Sequence, residues 1–158
     1  METLKAMMTR RSIRALKTDP VPVEKLDRLV QAGSQAASAG NRQPWVFITI
    51  SDPKRVKALK SLSPGLLCNP QAIIVICMDD SLAMHNRDGQ VDKMAWMDIG
   101  AAMQNILLAA HDLGLGACSI GSFNQEAVAR LLQLPDNLKL ALFITIGVPG
   151  RVPETPKK

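Results

Sequence analysis

"KMAWMDIGAAMQNILLAAHDLGLG", residues 93–116, is apolar almost all the way round a helical projection. In the interior of the run from Met94 to Leu113, the polar exceptions are Asp98, Gln104 and Asn105. A surface helix carries a single apolar stripe, so a helix of this composition must be covered on nearly every side. A chain of 158 residues builds a core of its own but can hardly cover such a helix alone. The pattern therefore predicts a helix placed at a subunit interface. Gly114 supplies a left-handed C-cap, and Gly116 opens the next short strand.

Outward from that helix, the chain punctuates itself. Residues 2–9 read as a short helix ending at a group of arginines. In "TDPVPVEKLDRLVQAGSQAASAG", Val23, Leu26, Leu29, Val30, Gly33 and Ala37 recur at helical spacing, with prolines at the start and small residues at the end. "WVFITIS" from Trp45 is a strand, and "PKRVKALKSL" after Asp52 a short helix. "AIIVICM", residues 72–78, is continuous and apolar, as an interior strand requires. Residues 79–92 read as a polar loop. "NQEAVARLLQL" is a further helix, "LKLALFITIGVP" a long last strand and "GRVPETPKK" an extended arm. Four strands and five helices without regular alternation predict an α+β fold, and the absence of repeats or linkers predicts one domain, 1–158.

Composition narrows the function. Hydrophobic residues make up 47% and charged residues 21%, a globular balance. With two Trp, three Phe and no Tyr, the core is built from Leu, Ile, Val, Ala and Met. The net charge is +5, but no basic run is interleaved with stacking aromatics, which argues against nucleic acid and for a small anionic ligand. Cys68, Cys77 and Cys118 are odd in number and scattered; two of them fall in apolar strand-like runs that imply buried thiols, and the set implies a reducing compartment and no disulfide framework. No apolar run is long enough to span a bilayer, and no signal peptide is recognisable, so a cytoplasmic location is expected. His85 and His111 lack partners at ligand spacing, so no metal site is expected.

Three segments carry chemistry. In "RRSIRAL", Arg10, Arg11, Ser12 and Arg14 offer forked donors and a hydroxyl suited to a phosphate; a solvated basic helix end is the alternative. In "ASAGNRQPW", Asn41 and Gln43 offer paired donors and acceptors suited to the edge of a heterocycle; a helix-to-strand turn that satisfies its own backbone is the alternative. In "GLGACSIGSFN", glycines on either side of a short strand permit close approach to a flat ligand; plain turn and strand packing is the alternative. No dinucleotide fingerprint, P-loop, GxSxG or HExxH occurs.

Taken in order, these segments resemble the nitroreductase family of FMN-dependent oxidoreductases. "RRSIRAL" looks like its phosphate motif, "SAGNRQPW" its flavin-edge loop, and "DIGAAMQNILLAAHDLGLGACSIGSF" its interface helix and following strand. "LPDNLKLALFITIGVP" looks like its terminal strand, so the resemblance runs from Leu4 to about Pro149. It implies an α+β homodimer with a mostly antiparallel sheet of four to five strands flanked by helices, and one FMN in each of two interfacial clefts. By the same resemblance, Arg10 and Ser12 hold the phosphate, Arg11 lies beside them giving backbone contacts and ring-edge cover, and Arg14 reaches the N1/O2 side of the ring. Ser38, Ala39, Asn41 and Gln43 reach the flavin from the other subunit, and Ile120 and Gly121 present backbone N–H groups near O4 and N5. NADH or NADPH delivers hydride to N5, and a nitroaromatic, quinone or similar acceptor takes it in a ping-pong cycle. No side chain is assigned a catalytic role.

The chain departs from the family's pattern in places. Ala37 stands where the family often has proline, and Leu16 where an aromatic is common. Many relatives continue into a basic segment beyond the position of Lys158, which leaves Arg151, Lys157 or Lys158 to complete the phosphate site. Residues 61–69 and 79–92 match no motif, so the acceptor stays open. Two other classes remain: a flavin-binding or storage protein that does not turn over, and a basic domain that binds nucleotides or RNA without flavin.

Overall fold

The computed structural model describes residues 2–154. Its centre is a four-stranded, wholly antiparallel sheet: β2 (Trp45–Ile50), β3 (Ala72–Asp79), β5 (Leu138–Gly147) and β4 (Gly116–Ile120), in that spatial order. β3 and β5 are interior, and every residue of β3 from Ala72 to Met78 is fully buried. That explains its unbroken apolar run: both faces of the strand meet core.

The two faces are packed differently. Ala72, Ile74, Ile76 and Met78 point to one side, where α2 (Val23–Ser34) and α4 (Lys93–Asp112) close the larger core. Ile73, Val75 and Cys77 point to the other, against α3 (Pro53–Ser61) and α5 (Gln125–Leu132). All three cysteines are free and buried, and burial pushes the Cys77 thiol up to about 11. Such thiols are poor nucleophiles.

α4 begins where the Asp92 carboxylate accepts the Met94 N–H at 2.9 Å. It ends in a Schellman motif: Gly114 sits at φ +72°, Leu115 N–H donates to Ala110 O and Gly114 N–H to His111 O. Its buried residues, Ala95, Asp98, Ile99, Ala102, Ile106, Leu107 and Ala110, form one stripe along the helix. Met94, Trp96 and Met97 are exposed on the other side. The sequence could not choose between these faces because both are apolar. Ala102, near the middle of the helix, is fully buried in the protomer's own core.

Two short strands were not expected. Pro149, read as the end of the last strand, and residues 150–151, read as the start of an extended arm, form β6 (Pro149–Arg151), which pairs antiparallel with β1 (Ala15–Leu16). The link is made by Lys17 N–H to Val148 O and by the two-residue ladder, too short to leave a periodic signature. The helix read over residues 2–9 is α1 (Thr3–Thr9). Among the described residues, no helix is long and apolar enough to cross a membrane.

Candidate functional site

α1 ends at Thr9, and Arg10 N–H donates to Ala6 O in closing it. The chain then extends along the outer edge of β4, with Ile13 N–H donating to Ala117 O at 3.0 Å. Gly116 and its ladder partner Gly147 give the docking ground for this segment. A Cβ on Gly116 would stand 2.7 Å from Leu16 Cδ2, and one on Gly147 would stand 3.0 Å from Leu16 Cδ1. Leu16 lies across both glycines.

In this extended run, alternate side chains face opposite ways. Arg11 and Ile13 line a small hollow of about 200 Å³ that also holds Thr9 and His111. The Arg11 guanidinium donates to Met8 O at 3.0 Å and Arg10 O at 2.7 Å, fastening the end of α1. Ser12 and Arg14 line a different hollow of about 430 Å³, together with Ala15, Arg151, Pro153 and Glu154. Among the described residues, the side chains of Arg10, Ser12, Arg14 and Arg151 make no hydrogen bond or ion pair. Unpaired cations grouped at one edge suit an anion. Lys157 and Lys158 lie outside the described residues.

β4 then carries the chain to Ile120, buried, and Gly121, exposed. Ladder alternation turns the backbone groups of Ala117 and Ser119 to the open edge and those of Cys118 and Ile120 toward β5. Gly121 continues the open side, and a Cβ there would meet nothing within 4 Å. The structure thus joins the first and third chemical segments on one edge.

The second segment is elsewhere. Residues 38–43 lead into β2, at the opposite edge of the sheet, three strand spacings or roughly 14 Å from β4. Gly40, Asn41 and Gln43 have φ of 59°, 54° and 50°. Ser38 Oγ accepts the Gln43 N–H at 3.0 Å, and Gln43 Nε2 donates to Asn41 Oδ1 at 2.8 Å. Ala39 N–H donates to both oxygens of the buried Asp98 carboxylate, at 3.1 and 3.2 Å. No hydrogen bond among the described residues joins this turn to 10–14 or to 120–121. One protomer holds two separated half-sites.

Asp98 is the residue that sequence reasoning noticed and could not use. Its signal was a carboxylate inside an apolar helix, but its partner lies 59 positions away. Among the described residues, no group of three or more His, Cys, Asp or Glu is placed to hold a metal ion.

The Nitroreductase family model matches residues 7–71 and 62–148. The chain belongs to the nitroreductase family. This nitroreductase-family chain is 36% identical over 154 residues to an Archaeoglobus fulgidus protein whose name joins NADH dehydrogenase with NAD(P)H nitroreductase, covering 94% of this chain and 86% of that one. It is 30% identical to the NADPH-flavin oxidoreductase of Vibrio harveyi, covering 96% of this chain and 68% of that protein. A nitroreductase-type chain from Desulfovibrio desulfuricans, solved in complex with FMN, superposes with a TM-score of 0.85 at 30% identity. That superposition covers 100% of this chain and 92% of the other. The α+β fold of this chain is thus the family's own.

Proposed function

We propose that this chain binds FMN non-covalently and works as an NAD(P)H-dependent flavin oxidoreductase, folded as one domain over residues 1–158, in a cytoplasmic homodimer. The observation that supports this most is the row of Arg10, Ser12 and Arg14, laid along β4 without partners of its own. Two guanidinium groups and a hydroxyl at one edge match a phosphate at one end and an electron-rich ring at the other. Arg151, in the same hollow as Ser12 and Arg14, adds a further cation.

In this reading Arg10 and Ser12 hold the phosphate, with Arg11 contributing backbone beside them and Arg14 reaching N1 and O2. Gly121 offers its backbone N–H near O4 and N5, whereas the Ile120 N–H expected there faces β5 and is not open to the ring. Ser38, Ala39, Asn41 and Gln43 arrive from the partner subunit, which accounts for two half-sites in one protomer. The exposed Met94, Trp96 and Met97 of α4 supply the dimer seam. When bound, FMN supplies the redox chemistry, passing a hydride from NAD(P)H to a nitroaromatic or quinone in alternating half-reactions. The protein's own residues bind, orient and neutralise charge.

The test begins with colour and affinity. FMN should bind well over tenfold more tightly than riboflavin, because each charge-assisted hydrogen bond to the phosphate contributes about 1.5–3 kcal/mol. Equal affinities would remove the phosphate assignment. NAD(P)H oxidation with menadione as acceptor should follow; a yellow protein inert to every acceptor would be a flavin store.

Arg14 has its own expected result. Two-electron reduction places negative charge near N1, which a guanidinium stabilises. Removing one such hydrogen bond, about 1.5–3 kcal/mol, should lower the midpoint potential of FMN-saturated Arg14→Ala by roughly 30–65 mV. An unchanged potential in a redox titration takes Arg14 away from the ring.

A further inference from the structure

Asp98 is the only acidic or basic residue buried in the described part of the chain. Burial of a carboxylate is unfavourable unless its charge is answered, and the protein answers it with one backbone N–H, from Ala39. No cation is paired with it among the described residues. A neutral residue would suit the interior of α4 better, so the carboxylate is there for the group it holds.

That group is the start of a strained turn. Left-handed φ is unfavourable for residues other than glycine, and both Asn41 and Gln43 adopt it. Bonds inside the turn, from Gln43 to Ser38 and to Asn41, shape it without attaching it to anything. Among the described residues, Ala39 N–H to Asp98 is the only hydrogen bond from residues 38–43 to the rest of the protein. At the far end Pro44 O accepts the Asp79 N–H at 2.7 Å. The turn hangs between these two anchors.

We propose that Asp98 is a positioning residue, which holds the 39–43 turn by Ala39 N–H so that Asn41 and Gln43 are presented to the flavin of the partner subunit. The role rests on the flavin reading above; the anchoring itself does not. α4, through Asp98, then carries both the dimer seam and the loop that crosses it.

Two substitutions remove the same bond from opposite sides. Asp98→Ala deletes the acceptor. Ala39→Pro deletes the donor at the first position of the short 3-10 turn, where proline is tolerated after the extended Ser38. In the apo protein, amide exchange at Asn41 and Gln43 should quicken by about tenfold in either variant, the fold-change of a lost hydrogen bond to a charged group. FMN should bind about tenfold more weakly, with its visible absorption band shifted from the wild-type position. The double variant should be no weaker than the worse single one. Asp98→Asn keeps a neutral acceptor and should restore affinity to within about threefold of wild type. If Asp98→Ala does not fold, Asp98→Asn and Ala39→Pro still report on the same bond. Unchanged exchange at Asn41 and Gln43 overturns the anchoring. Quickened exchange with wild-type FMN affinity and spectrum overturns the presentation of the turn to flavin. A wild-type protein that binds no FMN defeats the flavin reading, and the exchange result then judges the anchor alone.

Discussion

Met97→Glu should leave a folded protomer that neither dimerises nor keeps flavin, whereas Ala102→Glu should prevent folding. The two residues sit on the same helix five positions apart, and sequence gives no reason to treat them differently. In the structure Met97 is 61% exposed and Ala102 is 0% exposed. A glutamate at 97 keeps its water in the isolated protomer. Across a two-fold seam it would be buried without a partner, and the symmetry presents the fault twice. Breaking a buried pair to leave one unpaired charge costs about 3–5 kcal/mol, so a fault of this kind loosens a dimer by several hundredfold or more. At position 102 the same charge enters the core between α4 and the sheet, where little can relax. Sedimentation and far-UV circular dichroism separate the cases. A flavin-loaded, stable Met97→Glu dimer would move the seam off this face of α4.

Gly116→Val should cost flavin binding while sparing the four-stranded sheet. Leu16 Cδ2 lies 2.7 Å and Ile13 Cγ2 lies 3.0 Å from where a Cβ would be. Two further methyl groups must push the 13–16 segment outward, breaking Ile13 N–H to Ala117 O and unseating β1 from β6. Overpacking of this kind costs about 1–3 kcal/mol of stability. The larger effect falls on the ligand. Arg14 belongs to the displaced segment and Ser12 immediately precedes it, and losing one or two charge-assisted hydrogen bonds weakens FMN by about a hundredfold. An FMN titration against a circular dichroism spectrum like wild type tests it. Undiminished affinity would mean that the segment holds no flavin or does not depend on the glycine platform.

The elements of this fold were legible because each is marked locally. Continuous apolar residues from Ala72 identified the central strand, and the helix of α4 was bounded by Asp92 and Gly114. The chemical segments were legible for the same reason: forked donors, amides and glycines cluster within a few residues of one another. The short pairing of β1 with β6 was not, since two residues carry no period and their partner lies more than a hundred positions on.

Sequence alone determined the helices, the four strands of the main sheet and the segments rich in donors, because propensity, capping and residue chemistry act over short stretches of chain. Only the tertiary structure decided which face of α4 is core and which is free, since hydropathy cannot rank two apolar faces. It alone turned Arg11 to the end of α1 and left Arg10, Ser12 and Arg14 unpaired. It alone set 10–14 beside 117–121, put 38–43 at the far edge of the sheet, and gave Asp98 its partner. These are questions of which distant groups share space, and the order of strands in a sheet answers them where no local signal exists.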